Sequence, residues 1–403
     1  MSEDCRVTAG RLAGYVAVVT ETGLIIVGSG PAGVSAAEAF RTHNADAPIK
    51  ILTADLALPY ARPPLSKEYL RGETDDVALH ALQWFTDRSI ELKRGIEVDQ
   101  IDLVNHCVSA GDTRYGYTNL VLACGASPTP LPVTGGEWAL QLRSLADADR
   151  LRKAVADAGS AVVIGAGFIG CEAAASLAQQ GVTVTLVAPE AAPQENRLGV
   201  QAGERLRRLV SRAGVRYVGG VAVEALRDGS VQLDNGVSIH CDLVLAATGV
   251  RPQSALAQAA GLDVADSRIV VGADMQTSVP GVYAAGDVAS AFNPSAGRRL
   301  AVEHWQDAVD QGAVAGASAA GMPAKWDGVP GFWTTVGDAT VKYHAWGDGY
   351  QHSRLLEREN SFTVWYEAQG AAVGVLTYNA DEDYSLGERL IQTRGRVPVP
   401  LDG

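Results

Sequence analysis

Two stretches of the chain space their glycines as a pyrophosphate-binding turn requires. The first reads Leu24-Ile25-Ile26-Val27-Gly28-Ser29-Gly30-Pro31-Ala32-Gly33, the second Ala161-Val162-Val163-Ile164-Gly165-Ala166-Gly167-Phe168-Ile169-Gly170. In each, an apolar run fit for a buried parallel strand leads into Gly-x-Gly-x-x-Gly and then into a helix of small residues. Gly28 and Gly165 make the tight turn, Gly30 and Gly167 let the backbone approach a pyrophosphate, and Gly33 and Gly170 let the helix pack on the strand. The free N–H groups at the helix start then hold the anion. Pro31, Ala32 and Ile169 lie inside these turns and count with the glycines as cofactor contacts. Asp55 follows the next strand, Ile49–Thr53, where it serves either the ribose hydroxyls of the first dinucleotide or a turn. The strand after the second turn runs into Ala188-Pro189-Glu190, and no arginine precedes Arg197. A carboxylate at Glu190 would repel a 2′-phosphate, which favours NADH and leaves NADPH open.

The elements that must carry these turns repeat as well. Helices are expected over 34–41 and 171–180, the second stopped by Gly181. Apolar strands that end in glycine close each half, at 119–125 and 242–249. The expected fold class is α/β: two Rossmann-like doubly wound dinucleotide-binding domains plus a small C-terminal α+β domain. The first module takes 24–128 and 251–325, the second module takes 129–250, and the α+β domain takes 326–403. Within that last domain, strands are expected over 340–346, 361–367 and 371–378, with a hairpin turn at Gly347-Asp348-Gly349 and a closing helix over 381–392. Residues 1–23 read as an N-terminal extension that precedes the first strong strand.

Composition narrows the function. The 403 residues are 47% hydrophobic and carry a net charge of -13, a poor match to nucleic acid or an anionic membrane. The five cysteines, Cys5, Cys107, Cys124, Cys171 and Cys241, are scattered without a C-x-x-C pair, which favours a reducing, cytoplasmic setting. The seven histidines form no metal-ligand spacing, and no segment has the apolar length of a membrane span.

Further along, Thr277-Ser278-Val279-Pro280-Gly281-Val282-Tyr283-Ala284-Ala285-Gly286-Asp287 and Thr248-Gly249-Val250-Arg251-Pro252 occur in the order seen in flavoproteins with two dinucleotide sites. With Leu58-Pro59-Tyr60-Ala61-Arg62-Pro63-Pro64-Leu65-Ser66-Lys67, Phe168-Ile169-Gly170-Cys171-Glu172 and Glu303-His304-Trp305-Gln306, the chain resembles the FAD-dependent ferredoxin and rubredoxin reductases of bacterial oxygenases and cytochromes P450. The resemblance implies FAD as cofactor, NADH or NADPH as donor, a ferredoxin-type iron–sulfur protein as partner, and a monomer. It implies that Asp287 bonds the ribityl chain and that Lys67 lies beside flavin N5, paired with Glu172, which is also placed for the nicotinamide amide. It makes Phe168 the aromatic that shields the flavin until nicotinamide displaces it. Backbone N–H groups near His304 and Trp305 face the flavin pyrimidine. Arg62, Val98, Ala123, Gly125, Gly249, Gly286 and Glu303 join the cofactor contacts. Trp333 either lies over the flavin edge or sits in the core of the third domain.

The chain departs from the family where the usual P-W-F-W-S-D reads Pro330-Gly331-Phe332-Trp333-Thr334-Thr335. No cysteine stands between residues 49 and 70, where disulfide reductases carry theirs, so a thiol relay is not expected. Because ferredoxins are acidic, docking needs a local basic patch, with Arg298-Arg299 the best candidate. Arg205, Arg207, Arg208 and Arg212 read as a solvated helix face. Rival functions are an NAD(P)H diaphorase or oxidase, marked by steady turnover with oxygen alone, and a redox-sensing binding protein like apoptosis-inducing factor, marked by very slow hydride transfer.

Overall fold

The computed structural model describes residues 17–19 and 22–398. Leu24–Val27 lies at the centre of a five-stranded sheet in the order Val282–Ala284, Asn119–Leu122, Leu24–Val27, Ile49–Thr53, Ile90–Arg94. Every pairing in it is parallel. All residues of Leu24–Val27 and Ile49–Thr53 are buried, as a sheet covered on both faces demands. The helix Pro31–His43 starts directly after the first glycine turn. It crosses Trp305–Ala319 so closely that a Cβ at Gly312 or Gly316 would lie 2.2 or 2.1 Å from the carbonyl oxygens of Ala32 and Ala36. Only glycine permits that approach, and it fixes the start of the second helix beside the first turn.

A second parallel sheet repeats the plan in the order Arg216–Gly219, Thr183–Ala188, Ser160–Ile164, Leu243–Ala246. Its helix Phe168–Gln179 again opens on the glycine turn. A short antiparallel pair, Ala126–Pro128 with Val250–Pro252, lies at both points where the chain passes between the two modules.

The C-terminal region is a five-stranded antiparallel sheet, ordered Gly331–Val336, Ala339–Ala345, Ala371–Tyr378, Ser361–Ala368, His352–Arg358, with the helix Asp381–Thr393 after it. Two of its strands, Gly331–Val336 and His352–Arg358, were not expected. The hairpin expected at Gly347-Asp348-Gly349 is not there. Ala339–Ala345 and His352–Arg358 do not pair, so this segment is a crossing connection to the far edge of the sheet. The residues read as an N-terminal extension include a strand, Ala17–Val19, which pairs in parallel with Thr113–Gly116. Most of that expected extension, 1–16 with 20–21, lies outside the described residues. Among the described residues no helix is long and apolar enough to cross a membrane.

Candidate functional site

Both glycine turns take the backbone shape that their sequences require. Gly28 and Gly165 have φ of +108° and +104°, where a side chain is strained. A cavity of about 1220 Å³ runs from the first turn past Lys67 to the second and is covered by the C-terminal sheet. It exceeds the roughly 300–1,000 Å³ of a site for one drug-sized ligand, as a meeting place for two dinucleotides must.

Gly28, Gly30, Pro31, Ala32, Asp55, Arg62, Val98, Ala123, Gly125, Gly249, Gly286 and Asp287 all line this cavity. The Arg62 guanidinium leans over the first turn, and a Cβ at Gly30 would sit 3.0 Å from its Nη1. Burial, with Arg143 nearby, lowers the pKa of that guanidinium. Its Nε is buried without a hydrogen-bond partner among the described residues. An unused cationic donor above a pyrophosphate cradle fits the diphosphate of FAD. Asp287 accepts a hydrogen bond from Arg143 Nη2 at 2.5 Å. The Gly286 N–H donates to Gln311 Oε1 at 2.9 Å. Asp55 reaches the cavity wall, and each of its oxygens accepts one local hydrogen bond, from the Ala57 N–H at 3.0 Å and the Tyr60 hydroxyl at 2.9 Å.

Lys67 and Glu172 meet. Their side chains, 7% and 3% exposed as residues, are joined by a 2.8 Å ion pair. Oε2 of Glu172 also accepts from Ser66 Oγ at 2.5 Å, and Oε1 accepts from Thr334 Oγ1 at 2.8 Å and the Thr335 N–H at 3.2 Å. Sequence reasoning missed Ser66, Thr334 and Thr335 as partners. Each Glu172 oxygen is thus engaged twice within the protein. Gly33 and Gly165 pack behind their turns rather than facing the cavity, while Gly167, Phe168, Ile169 and Gly170 line it.

Phe168 leans on Phe332 with ring centroids 4.6 Å apart, and Phe332 in turn lies 4.7 Å from His304 and 5.4 Å from Tyr343. Phe332 is therefore the centre of the aromatic wall, although the sequence drew attention to its neighbours. Strand alternation was the available signal: residues 332 and 334 face inward, and Trp333 faces out, 47% exposed at the cavity rim and in no core. Arg197 lies 5.8 Å from both the Phe332 and Tyr343 rings and also lines the cavity. His304 is the N-cap of Trp305–Ala319, and its Nδ1 lies 3.1 Å from Asp307 Oδ2. Both His304 and Trp305 face the cavity, so the positive end of a helix points into it. Glu303 borders the same space and pairs with Arg268.

Other expected residues stand elsewhere. Glu190 does not line the cavity, and its Oε1 accepts the Asn196 N–H at 3.0 Å. Arg298 pairs with Asp348, and Arg299 Nη1 donates to the Val271 carbonyl, so the basic patch expected there is partly neutralised. Arg205 and Arg208 face Glu357, Arg207 pairs with Glu204, and Arg212 is exposed.

The described cysteines carry no disulfide. Burial pushes the Cys124 thiol up to about 11 and the Cys171 thiol up to about 12, and raises Cys107 and Cys241 as well. None is a ready thiolate. Replacing all five cysteines with Ser or Ala, in a variant that folds, is expected to leave ferredoxin reduction within a few-fold. Loss of that activity with flavin still bound and reducible would revive a thiol relay. Among the described residues, no cluster of His, Cys, Asp or Glu could hold a metal ion.

Comparisons agree with this geometry. The chain is 34% identical to the ferredoxin–NAD(+) reductase component of the anthranilate 1,2-dioxygenase system of Burkholderia cepacia, covering 93% of this chain and 95% of that one. A ferredoxin reductase from Rhodopseudomonas palustris superposes with a TM-score of 0.88 at 30% identity, over 94% of this chain and 96% of that one. The reductase in a covalent putidaredoxin reductase–putidaredoxin complex superposes with a TM-score of 0.87 at 30% identity, over 92% and 93% of the two chains. Residues 22–312 match the family model for pyridine nucleotide-disulphide oxidoreductases, and the chain belongs to that family.

Proposed function

We propose that this chain is an FAD-dependent reductase that passes electrons from NADH to a ferredoxin-type iron–sulfur protein, as a cytoplasmic monomer. The observation that carries this reading is the buried Lys67–Glu172 pair at the junction of two dinucleotide cradles, where the neighbouring thiol, Cys171, is buried and held protonated. Residues 24–128 and 251–325 hold FAD, and residues 129–250 receive the nicotinamide dinucleotide. When bound, FAD takes two electrons as a hydride and gives them up singly. NADH supplies the hydride, two ferredoxin molecules take one electron each, and the proton passes to water.

The chain's own residues set the conditions. Gly28 to Gly33 and Arg62 hold the diphosphate, and Asp287 with Arg143 offers an acceptor and donors to the sugar chain. Lys67 keeps a positive charge at the junction, and the helix start at Trp305 adds a second favourable potential for developing negative charge. Phe168 on Phe332 keeps water out until a nicotinamide ring displaces it. The names of the relatives support the partner class.

The purified protein is expected to be yellow and to release FAD, not FMN, on denaturation. Reduction of candidate ferredoxins, assayed with NADH and with NADPH, tests the rest. Release of FMN, a colourless protein that cannot be reconstituted, or turnover with oxygen alone and none with any ferredoxin would overturn the proposal.

A further inference from the structure

We propose that Thr334 is a positioning residue for hydride transfer, so that the C-terminal sheet completes the reductase site besides covering it. The inference rests on the reading of Lys67 as the charge at the junction of the two nucleotides.

Glu172 is the point where three parts of the fold meet. Ser66 ends the short helix Pro63–Ser66 and Lys67 caps it, Glu172 comes from the helix Phe168–Gln179, and Thr334 and Thr335 come from the strand Gly331–Val336. An ionised carboxylate offers about four acceptor positions. Here four donors occupy them, two on each oxygen. The carboxylate therefore cannot rotate toward Lys67 or away from it without abandoning a bond to another part of the fold. Lys67 Nζ has one further contact, Ser66 Oγ at 3.5 Å, too long to hold an ammonium by itself. The location of the lysine charge is thus set by Glu172, and the plane of Glu172 is set by the C-terminal sheet.

Thr334 is 1% exposed, so its hydroxyl has no water to turn to. Its strand neighbours, Phe332 and Trp333, form the aromatic wall and the rim of the cavity. One strand therefore both shapes the cavity and holds the charge pair. Because, among the described residues, the hydroxyl bonds only Glu172 and does not line the cavity, Thr334 acts through another residue.

The test uses holoenzyme with FAD bound. Thr334→Val keeps the shape and removes the donor. Stopped-flow reduction by NADH is expected to show a limiting rate lower by about ten- to 150-fold, the range that loss of one hydrogen bond to a charged group allows. Half-saturation by NADH should change by less than about two-fold, because the second cradle is untouched. Thr334→Ser restores the donor and is expected to restore the rate. If Thr334→Val loses FAD, Thr334→Ala removes the same donor without added bulk and is measured instead. A Thr334→Val protein with a lower melting temperature and a normal limiting rate would show a merely structural role and overturn the proposal. Slow transfer that Thr334→Ser does not rescue would overturn it equally. Lys67→Met, run in parallel, separates the two readings. If it slows reduction and Thr334→Val does not, only the present inference fails. If neither does, the reading of the pair fails.

Discussion

Lys67→Met will slow reduction of bound FAD by NADH by roughly ten- to a thousand-fold, the range set by loss of one charge-assisted contact at a site of developing charge. Methionine matches the length and flexibility of lysine, so the change removes charge more than volume. Lys67 is buried, and among the described residues no other cation pairs with Glu172. The FAD should stay bound, because Gly28 to Gly33 and Arg62 are untouched. A buried carboxylate left without its cation costs about 3–5 kcal/mol of stability, so the single variant will also melt earlier. Lys67→Met combined with Glu172→Gln removes both charges and is expected to regain most of that stability but none of the rate. This dissociation of melting temperature from hydride transfer identifies the charge, not the packing, as the working part. A single variant that reduces within about three-fold of the parent, with FAD in place, would remove Lys67 from the chemistry.

What the sequence made legible was local or paired with a motif. Gly28, Gly30 and Gly33 carry their geometry within six residues, because a turn of that shape permits little else. Lys67 and Glu172 lie 105 residues apart and were joined by family resemblance alone. Thr334 had no such guide. A threonine in a strand is ordinary, and its bond to Glu172 is settled only when the C-terminal sheet docks. The salt bridge of Arg143 to Asp287 was hidden for the same reason. The strand His352–Arg358 reads as His-Ser-Arg-Leu-Leu-Glu-Arg, without clean alternation, because an edge strand is charged and half exposed. Gly347-Asp348-Gly349 has the residues of a tight turn, yet pairing is decided by the strands on either side. Ala371–Tyr378 takes the place beside Ala339–Ala345 that a hairpin partner would have filled.

The two cradles predict opposite failures from one kind of substitution. A Cβ at Gly33 would lie 2.0 Å from the Gly28 carbonyl oxygen, and one at Gly170 would lie 2.0 Å from that of Gly165. Neither carbonyl belongs to a flexible side chain, so the helix must lift from its strand in each case. Overpacking of this kind costs about 1–3 kcal/mol and sometimes more, which is roughly a five- to 150-fold loss of affinity for whatever the cradle holds. Gly33→Ala is therefore expected to yield protein that is pale as purified and binds added FAD weakly, with its second module intact. Gly170→Ala is expected to be fully yellow and to be reduced normally by dithionite, while the KM for NADH rises by at least about five-fold. Absorbance per mole of protein and a KM measurement distinguish the two. If Gly170→Ala loses FAD and keeps its KM, the assignment of the two modules to their nucleotides is reversed. If Gly33→Ala keeps full flavin, the first turn does not hold the diphosphate, and the unpartnered Nε of Arg62 must have another use.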